Sequence, residues 1–244
     1  PLLDPLAACM PEALLCLGRA CLGNGQAKAA VSHLQLYLQH HPRTSQPLYT
    51  LGCALAWLGA EEHPRHWLEA AAIFEEIQKS RDAYYPRVTL QLGHLHLRQQ
   101  NLDKAAAAYQ EASHYKATLR EAILGLARIA AFRDDTNGLR VMSSLEPADE
   151  RSQSVQAVRG LIYELQGQWE LAENAYRQAQ DSGALGVILQ RQKKVAEAAE
   201  MFAKARASGD TSDRVLYYSG LSRASAHDYE GAIAEWDLLA HRYP

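Results

Sequence analysis

Residues 160–179 read GLIYELQGQWELAENAYRQA. Gly160 and Tyr163 precede a polar break at Gly167-Gln168, and Ala172, Tyr176 and Ala179 follow it at spacings of four and three. Those spacings place the last three residues on one face of a helix. Gly and Gln at the break end one helix and open the next. The stretch is therefore helix, tight turn, helix.

The same arrangement recurs along the chain. Gly18, Gly52, Gly93, Gly125, Gly160, Gly186 and Gly220 follow one another at 34, 41, 32, 35, 26 and 34 residues. A period near 34 means one supersecondary unit copied end to end. Twelve residues after the glycine comes alanine in Ala30, Ala105, Ala172, Ala198 and Ala232, with Ala70 displaced and Asn137 an exception. Four further on stands a large side chain, Leu34, Phe74, Tyr109, Val141, Tyr176, Phe202 or Trp236, and three beyond that Tyr37, Ile77, Ala112, Ser144, Ala179, Ala205 or Leu239. The glycine belongs to the first helix of each unit and the alanine to the second. Small residues let two helix axes approach, and the large residue one turn later fills the space beside them.

Bulk properties exclude several classes of function. The 244 residues carry 25 basic and 28 acidic side chains, a net charge of −3. The two signs are interspersed, without the clustered basic footprint of a nucleic-acid binder. Apolar stretches are broken before 18 residues, so no membrane-spanning helix is expected. Cys9, Cys16, Cys21 and Cys53 lack CxxC spacing and are read as buried, reduced thiols, which leans towards a reducing, cytoplasmic compartment. A periplasmic or envelope setting would require a signal peptide since removed.

Ten histidines, among them His40, His41, His63, His66, His94 and His96, raise the question of a metal. A structural zinc site needs four converging ligands, and His94 and His96, two apart, point to different helix faces. No nucleophile elbow, phosphate loop or HExxH helix is present. No catalytic, cofactor or metal site is expected.

On these residues the chain resembles the tetratricopeptide repeat family. The match rests on Leu14, Leu17 and Gly18 with Ala30 and Pro42, on Leu48, Leu51 and Gly52 with Phe74, on Gly160 and Tyr163 with Ala172, Tyr176 and Ala179, and on Gly220 with Ala232 and Pro244. The resemblance implies an all-α fold, an α-solenoid wound as a right-handed superhelix of about seven helix-turn-helix repeats, with first helices on the concave face. Residues 1–10 form a lead-in, and 11–244 a single array with units near 11–44, 45–85, 86–117, 118–152, 153–180, 181–212 and 213–244.

The resemblance also implies a groove. Carried onto this sequence, its facing positions include Leu15, Arg19, Tyr49, Cys53, Trp57, Arg87, Leu90, His94, Leu97, Leu126 and Tyr217. Tyr49, Trp57, Arg87, Leu90, Leu97 and Leu126 are the expected anchors. Such a surface suits a peptide or amphipathic helix of a protein partner. The Lys and Asn set by which one subfamily holds a terminal carboxylate is missing, its positions carrying Leu15, Arg19, Thr50, Arg87 and Gln91. The expected function is a noncatalytic interaction scaffold. The alternative is a regulatory or assembly segment of a larger enzyme or of a cell-envelope secretion or polysaccharide machine. That alternative draws on a chain that starts at Pro1 and on a last unit ending in Trp236, Leu238 and Leu239, which also suggests self-association through terminal repeats.

Three irregularities stand out. Unit two carries about six extra residues around Ala60–Trp67, where Pro64 argues for a longer loop rather than a longer helix. Unit four has Asp134-Asp135-Thr136-Asn137-Gly138 where others have alanine, so its second helix should be short and loosely packed. Between Gly160 and Gly186 eight residues are lacking; because Gly186 and Ala198 keep register, a loop missing near Ser182 is favoured over a shortened helix.

Overall fold

Fourteen α-helices follow one another in pairs among the described residues, with no strand. The computed structural model describes residues 11–61, 63, 65–133 and 137–241. The lead-in with Cys9, the insert residues Glu62 and Pro64, the break Asp134-Asp135-Thr136 and the terminal Pro244 lie outside the described residues. The pairs are α1 (Pro11–Gly23) with α2 (Ala27–His40), α3 (Ser45–Glu61) with α4 (Arg65–Ser80), and α5 (Tyr85–Arg98) with α6 (Leu102–Ala112). Then come α7 (Leu119–Phe132) and α8 (Gly138–Met142), a 3-10 turn at Asp149–Arg151, and α9 (Gln153–Leu165) with α10 (Trp169–Ala179). The last pairs are α11 (Ser182–Arg191) with α12 (Val195–Ala207) and α13 (Asp213–Ser225) with α14 (Tyr229–Ala240).

The chain divides within α7, after Gly125, into two compact units. In the first unit each helix from α1 to α6 packs on the next, and the first helices α1, α3 and α5 also touch in succession. In the second the same holds from α9 to α14, with α11 against α13. This is the packing of an α-solenoid of helix-turn-helix repeats.

The glycines act through close approach. A Cβ added at Gly18 would lie 2.6 Å from Leu34, at Gly52 2.5 Å from Phe74, at Gly93 2.7 Å from Tyr109, at Gly160 2.6 Å from Tyr176 and at Gly186 2.7 Å from Phe202. Trp236 sits against Gly220 in the same way. Each large residue of a second helix thus occupies the space a side chain on the first would need. Repeat four differs from its sequence reading. The space over Gly125 is taken by Tyr109 of the preceding repeat, so one ring is held between two glycines.

The turns share one geometry as well. Five first helices end on a residue with positive φ, namely Gly25, Gln100, Gly167, Lys193 and His227. At each, the next amide closes back five residues, as in Gln26 N to Cys21 O at 2.8 Å and Lys194 N to Leu189 O at 2.9 Å. This is the Schellman closure, which satisfies the last carbonyls of the helix.

Two expected irregularities take another form. The insert in unit two lengthens a helix: α3 runs nine residues past Gly52, whereas α5 ends five past Gly93. The extra turn brings its own small–large pair, Gly59 under Trp67, and the Trp67 indole donates to the Ala56 carbonyl at 3.1 Å. The short interval before Gly186 holds no missing loop. Gln180 takes a left-handed φ of 56°, Asp181 accepts a hydrogen bond from the Ala184 amide at 2.9 Å, and α11 starts at once with only ten residues. The α8 helix is short, as expected, at five residues, but Gly138 and Met142 on it are buried.

Candidate functional site

In the first unit the candidate surface lies on α1, α3 and α5. Arg19 and Arg87 are exposed, Trp57 is 47% exposed, and Leu15, Tyr49, Cys53, His94 and Leu97 are half-buried. Leu90 is a correction. It is only 8% exposed, because α5 is enclosed at Val88, Thr89, Leu90, Leu92, Gly93 and Leu95, around most of its circumference. Leu90 belongs to the packing between helices and not to an open surface.

Other expected anchors are engaged inside the unit. Tyr49 stacks at a tilt on Phe74 and Tyr84, with centroids 6.0 and 5.4 Å away. Burial drives its hydroxyl well above the ordinary tyrosine range, and burial pushes the neighbouring Cys53 thiol up to about 11. A thiol so placed is protonated and unreactive near neutrality. Cys16, expected to be buried, is exposed. His94 Nδ1 lies 2.8 Å from the hydroxyl of Tyr109, the ring held between two glycines. Arg98, at the end of α5, lies over the Trp67 ring at 5.9 Å.

In the second unit Leu126 is half-buried and Tyr217 is 50% exposed, edge-on to Tyr218 at 5.1 Å. The same unit holds a cluster built on the buried carboxylate of Glu164. Tyr176 donates to it at 2.9 Å, Arg214 Nη2 lies 2.5 and 2.6 Å from its two oxygens, and Arg191 Nε is 4.0 Å away. Arg191 also donates to the Tyr218 hydroxyl at 3.0 Å and lies over both Trp169 and Tyr218, at 5.5 and 5.7 Å. Desolvation pulls the Arg214 guanidinium down, but the hydrogen bond and charge of Glu164, together with Tyr176, outweigh it and leave that group above its ordinary value. Desolvation and Glu164 together raise the Tyr176 hydroxyl. Two guanidinium groups on one carboxylate leave a local charge of one positive unit, with Arg191 lying over two aromatic rings.

Arg191, Trp169 and Tyr218 escaped the sequence reading. The signal was present, since Arg191 stands five residues after Gly186, as Arg98 does after Gly93. The short interval before Gly186 obscures the register of unit six and with it this equivalence. Both arginines sit on a tryptophan from the second helix of the preceding repeat, Arg98 on Trp67 and Arg191 on Trp169. Among the described residues no three His, Cys, Asp or Glu side chains gather as a metal site would require, and no helix is long and apolar enough to cross a membrane.

A family model for the tetratricopeptide repeat matches residues 86–114, which span α5 and α6 with Gly93, Ala105, Tyr109 and Ala112. That segment of the chain carries a tetratricopeptide repeat. A tetratricopeptide repeat protein from Parabacteroides merdae superposes with a TM-score of 0.62 at 12% identity, covering 96% of this repeat chain and 99% of its own. Yeast Tom70 gives 0.65 at 14% identity, covering 95% of this chain and 60% of Tom70. A chain of the APC/C hetero-tetramer Cut9-Hcn1 gives 0.65 at 14% identity, with 96% and 48% covered. At such identities the likeness is one of fold. No curated protein matches the repeat chain in sequence.

Proposed function

We propose that the protein is a noncatalytic interaction scaffold whose first helices hold a peptide or helix of a partner protein. The observation that carries this reading is the pairing of exposed aromatic side chains with guanidinium groups already fixed on rings. Trp57 and Arg98 stand on the neighbouring helices α3 and α5 of the first unit, and Tyr217 and Arg191 on α13 and α11 of the second. Tyr, Trp and Arg dominate binding energy where they are rigid and bury well, because little side-chain entropy is lost on contact. Arg19, Arg87, Leu15 and Leu97 extend the surface in the first unit. Leu126 lies on α7 in the second, and Tyr49, Cys53 and His94 support the first unit's surface from within.

The test starts from a phage-displayed library of random 12-residue peptides selected on the intact chain. Enriched peptides are titrated by fluorescence anisotropy against the chain and against Trp57→Asp and Tyr217→Asp. At least one substitution weakens binding by about tenfold or more, with helix content by circular dichroism unchanged. Enriched peptides that bind both variants as tightly as the parent chain overturn the reading.

A further inference from the structure

The last repeat is polar at three places where most of the others are apolar. Ser222 stands two residues after its signature glycine, a place held by Ala54, Leu95, Ala127, Ile162 and Ile188 in other repeats. Ser219 precedes that glycine, where Leu51, Leu92, Leu124 and Leu185 stand in repeats two, three, four and six and Arg159 in repeat five. Glu235 follows its alanine by three, as Ala108, Ala175 and Met201 do in repeats three, five and six. All three side chains are buried, Ser222 at 2%, Ser219 at 4% and Glu235 at 6% exposure. Burying hydroxyls and a carboxylate at apolar positions costs free energy unless they are matched by partners.

They are only partly matched within the protein. Ser222, Ser219 and Glu235 line a cavity of about 470 Å³ between α12, α13 and α14, with Phe202 and alanines of α12 forming an apolar wall. Ser219 Oγ donates to Glu235 Oε1 at 3.3 Å, and Arg206 Nε lies 3.4 Å from Glu235 Oε2. Ser222 Oγ, Glu235 Oε2 and Arg206 Nη1 are buried without a hydrogen-bond partner among the described residues. At the rim Arg223 is paired with Asp228 at 2.7 Å, and its Nε lies 3.7 Å from Glu235 Oε1. The lining therefore holds two arginines and two carboxylates, with no net charge.

We propose that this cavity binds a small zwitterion of the α-amino-acid class. Its ammonium meets Glu235 Oε2 and the Ser222 hydroxyl, its carboxylate meets Arg206 Nη1, and its side chain lies against Phe202. The unmatched acceptor and the unmatched donor belong to groups of opposite charge side by side, so a ligand carrying both charges on one carbon satisfies them together through charge-assisted hydrogen bonds. A simple anion would meet Glu235, and a simple cation Arg206, with repulsion in either case. The volume falls in the range of small-molecule sites, and an apolar wall with a few convergent polar groups is their usual make-up. This site is independent of the peptide surface on the first helices.

The test uses the intact chain in isothermal titration calorimetry and thermal-shift assays with leucine, methionine and phenylalanine, and with N-acetyl-leucine amide as the uncharged control. Saturable binding of at least one free amino acid is expected, with N-acetyl-leucine amide weaker by about tenfold or more. Glu235→Gln lowers the affinity by a similar factor. Ser222→Ala, which restores the residue found at Ala54 and Ala127, folds and also binds more weakly. No saturable signal with any of the three, equal binding of the uncharged control, or undiminished affinity in folded Ser222→Ala overturns the proposal.

Discussion

Arg214 closes on Glu164 across fifty residues of sequence, its Nη2 2.5 and 2.6 Å from the two carboxylate oxygens. It joins the start of repeat seven to the end of the first helix of repeat five, past an α11 of only ten residues. The carboxylate is buried, so losing its cation leaves an unmatched charge, whereas the arginine side chain is itself 37% exposed. Arg214→Met is expected to cost about 2–3 kcal/mol in urea denaturation, less than for a wholly buried pair. The double variant Arg214→Met with Glu164→Gln should recover part of that loss, and strictly additive losses would show that the pair is not coupled.

The close contact of Gly186 with Phe202 makes an opposite pair of predictions for two glycines. Gly186→Ala forces a methyl group against a buried ring, and overpacking of this kind costs about 1–3 kcal/mol. Gly23→Ala, at the end of α1, meets nothing within 4 Å and should be neutral or gain up to ~1 kcal/mol from helix propensity. Thermal unfolding of the two variants separates packing from propensity.

Lys193 and Gln100 hold left-handed backbone conformations, with φ of 63° and 60°, where Gly25 and Gly167 stand in sister repeats. A side chain there is strained by roughly 1 kcal/mol. Lys193→Gly and Gln100→Gly should each raise stability by about 0.5–1 kcal/mol, in contrast to the usual effect of glycine substitution. A fall in the unfolding midpoint of both would contradict the Schellman assignment.

Glu173 connects repeats five and six through Lys194 at 2.9 Å and also pairs with Arg177 of its own helix at 2.7 Å. Burial pushes its carboxyl up, but the hydrogen bonds from the two cations outweigh burial and hold it below the ordinary glutamate value. A depressed carboxyl stabilises the fold above its unfolded pKa and loses that contribution as pH falls through the folded one. Thermal midpoints should therefore decline below about pH 4.5, and Glu173→Gln should be less stable at pH 7 and show a shallower decline. An unchanged slope would remove Glu173 from the acid response.

Much of the fold is legible in the chain because it rests on short-range spacing. Gly160, Ala172 and Tyr176 lie within 17 residues, and their order dictates which surfaces of one hairpin can approach. The irregular places were harder for a physical reason. Pro64 argues against helix only where it stands, so it could not reveal that α3 gains a turn before it, closed by Gly59 and Trp67. The residues expected to face a groove divide in the same way. Trp57 and Tyr217 are exposed, while Leu90 is sealed by helices whose proximity no local pattern reports.

By itself, then, the sequence determined the repeat, the helix pairs and the glycine contacts within each pair, since these follow from i, i+3 and i+4 periodicity and side-chain size. Only the tertiary structure decided what lies between pairs: Tyr109 shared by two glycines, Arg191 between Trp169 and Tyr218, Arg214 on Glu164, and the polar cavity floored by Ser222 and Glu235. Those contacts join residues from different repeats or different helices. They depend on how far each helix runs and how closely its neighbour packs, which are properties of the stack rather than of any one segment.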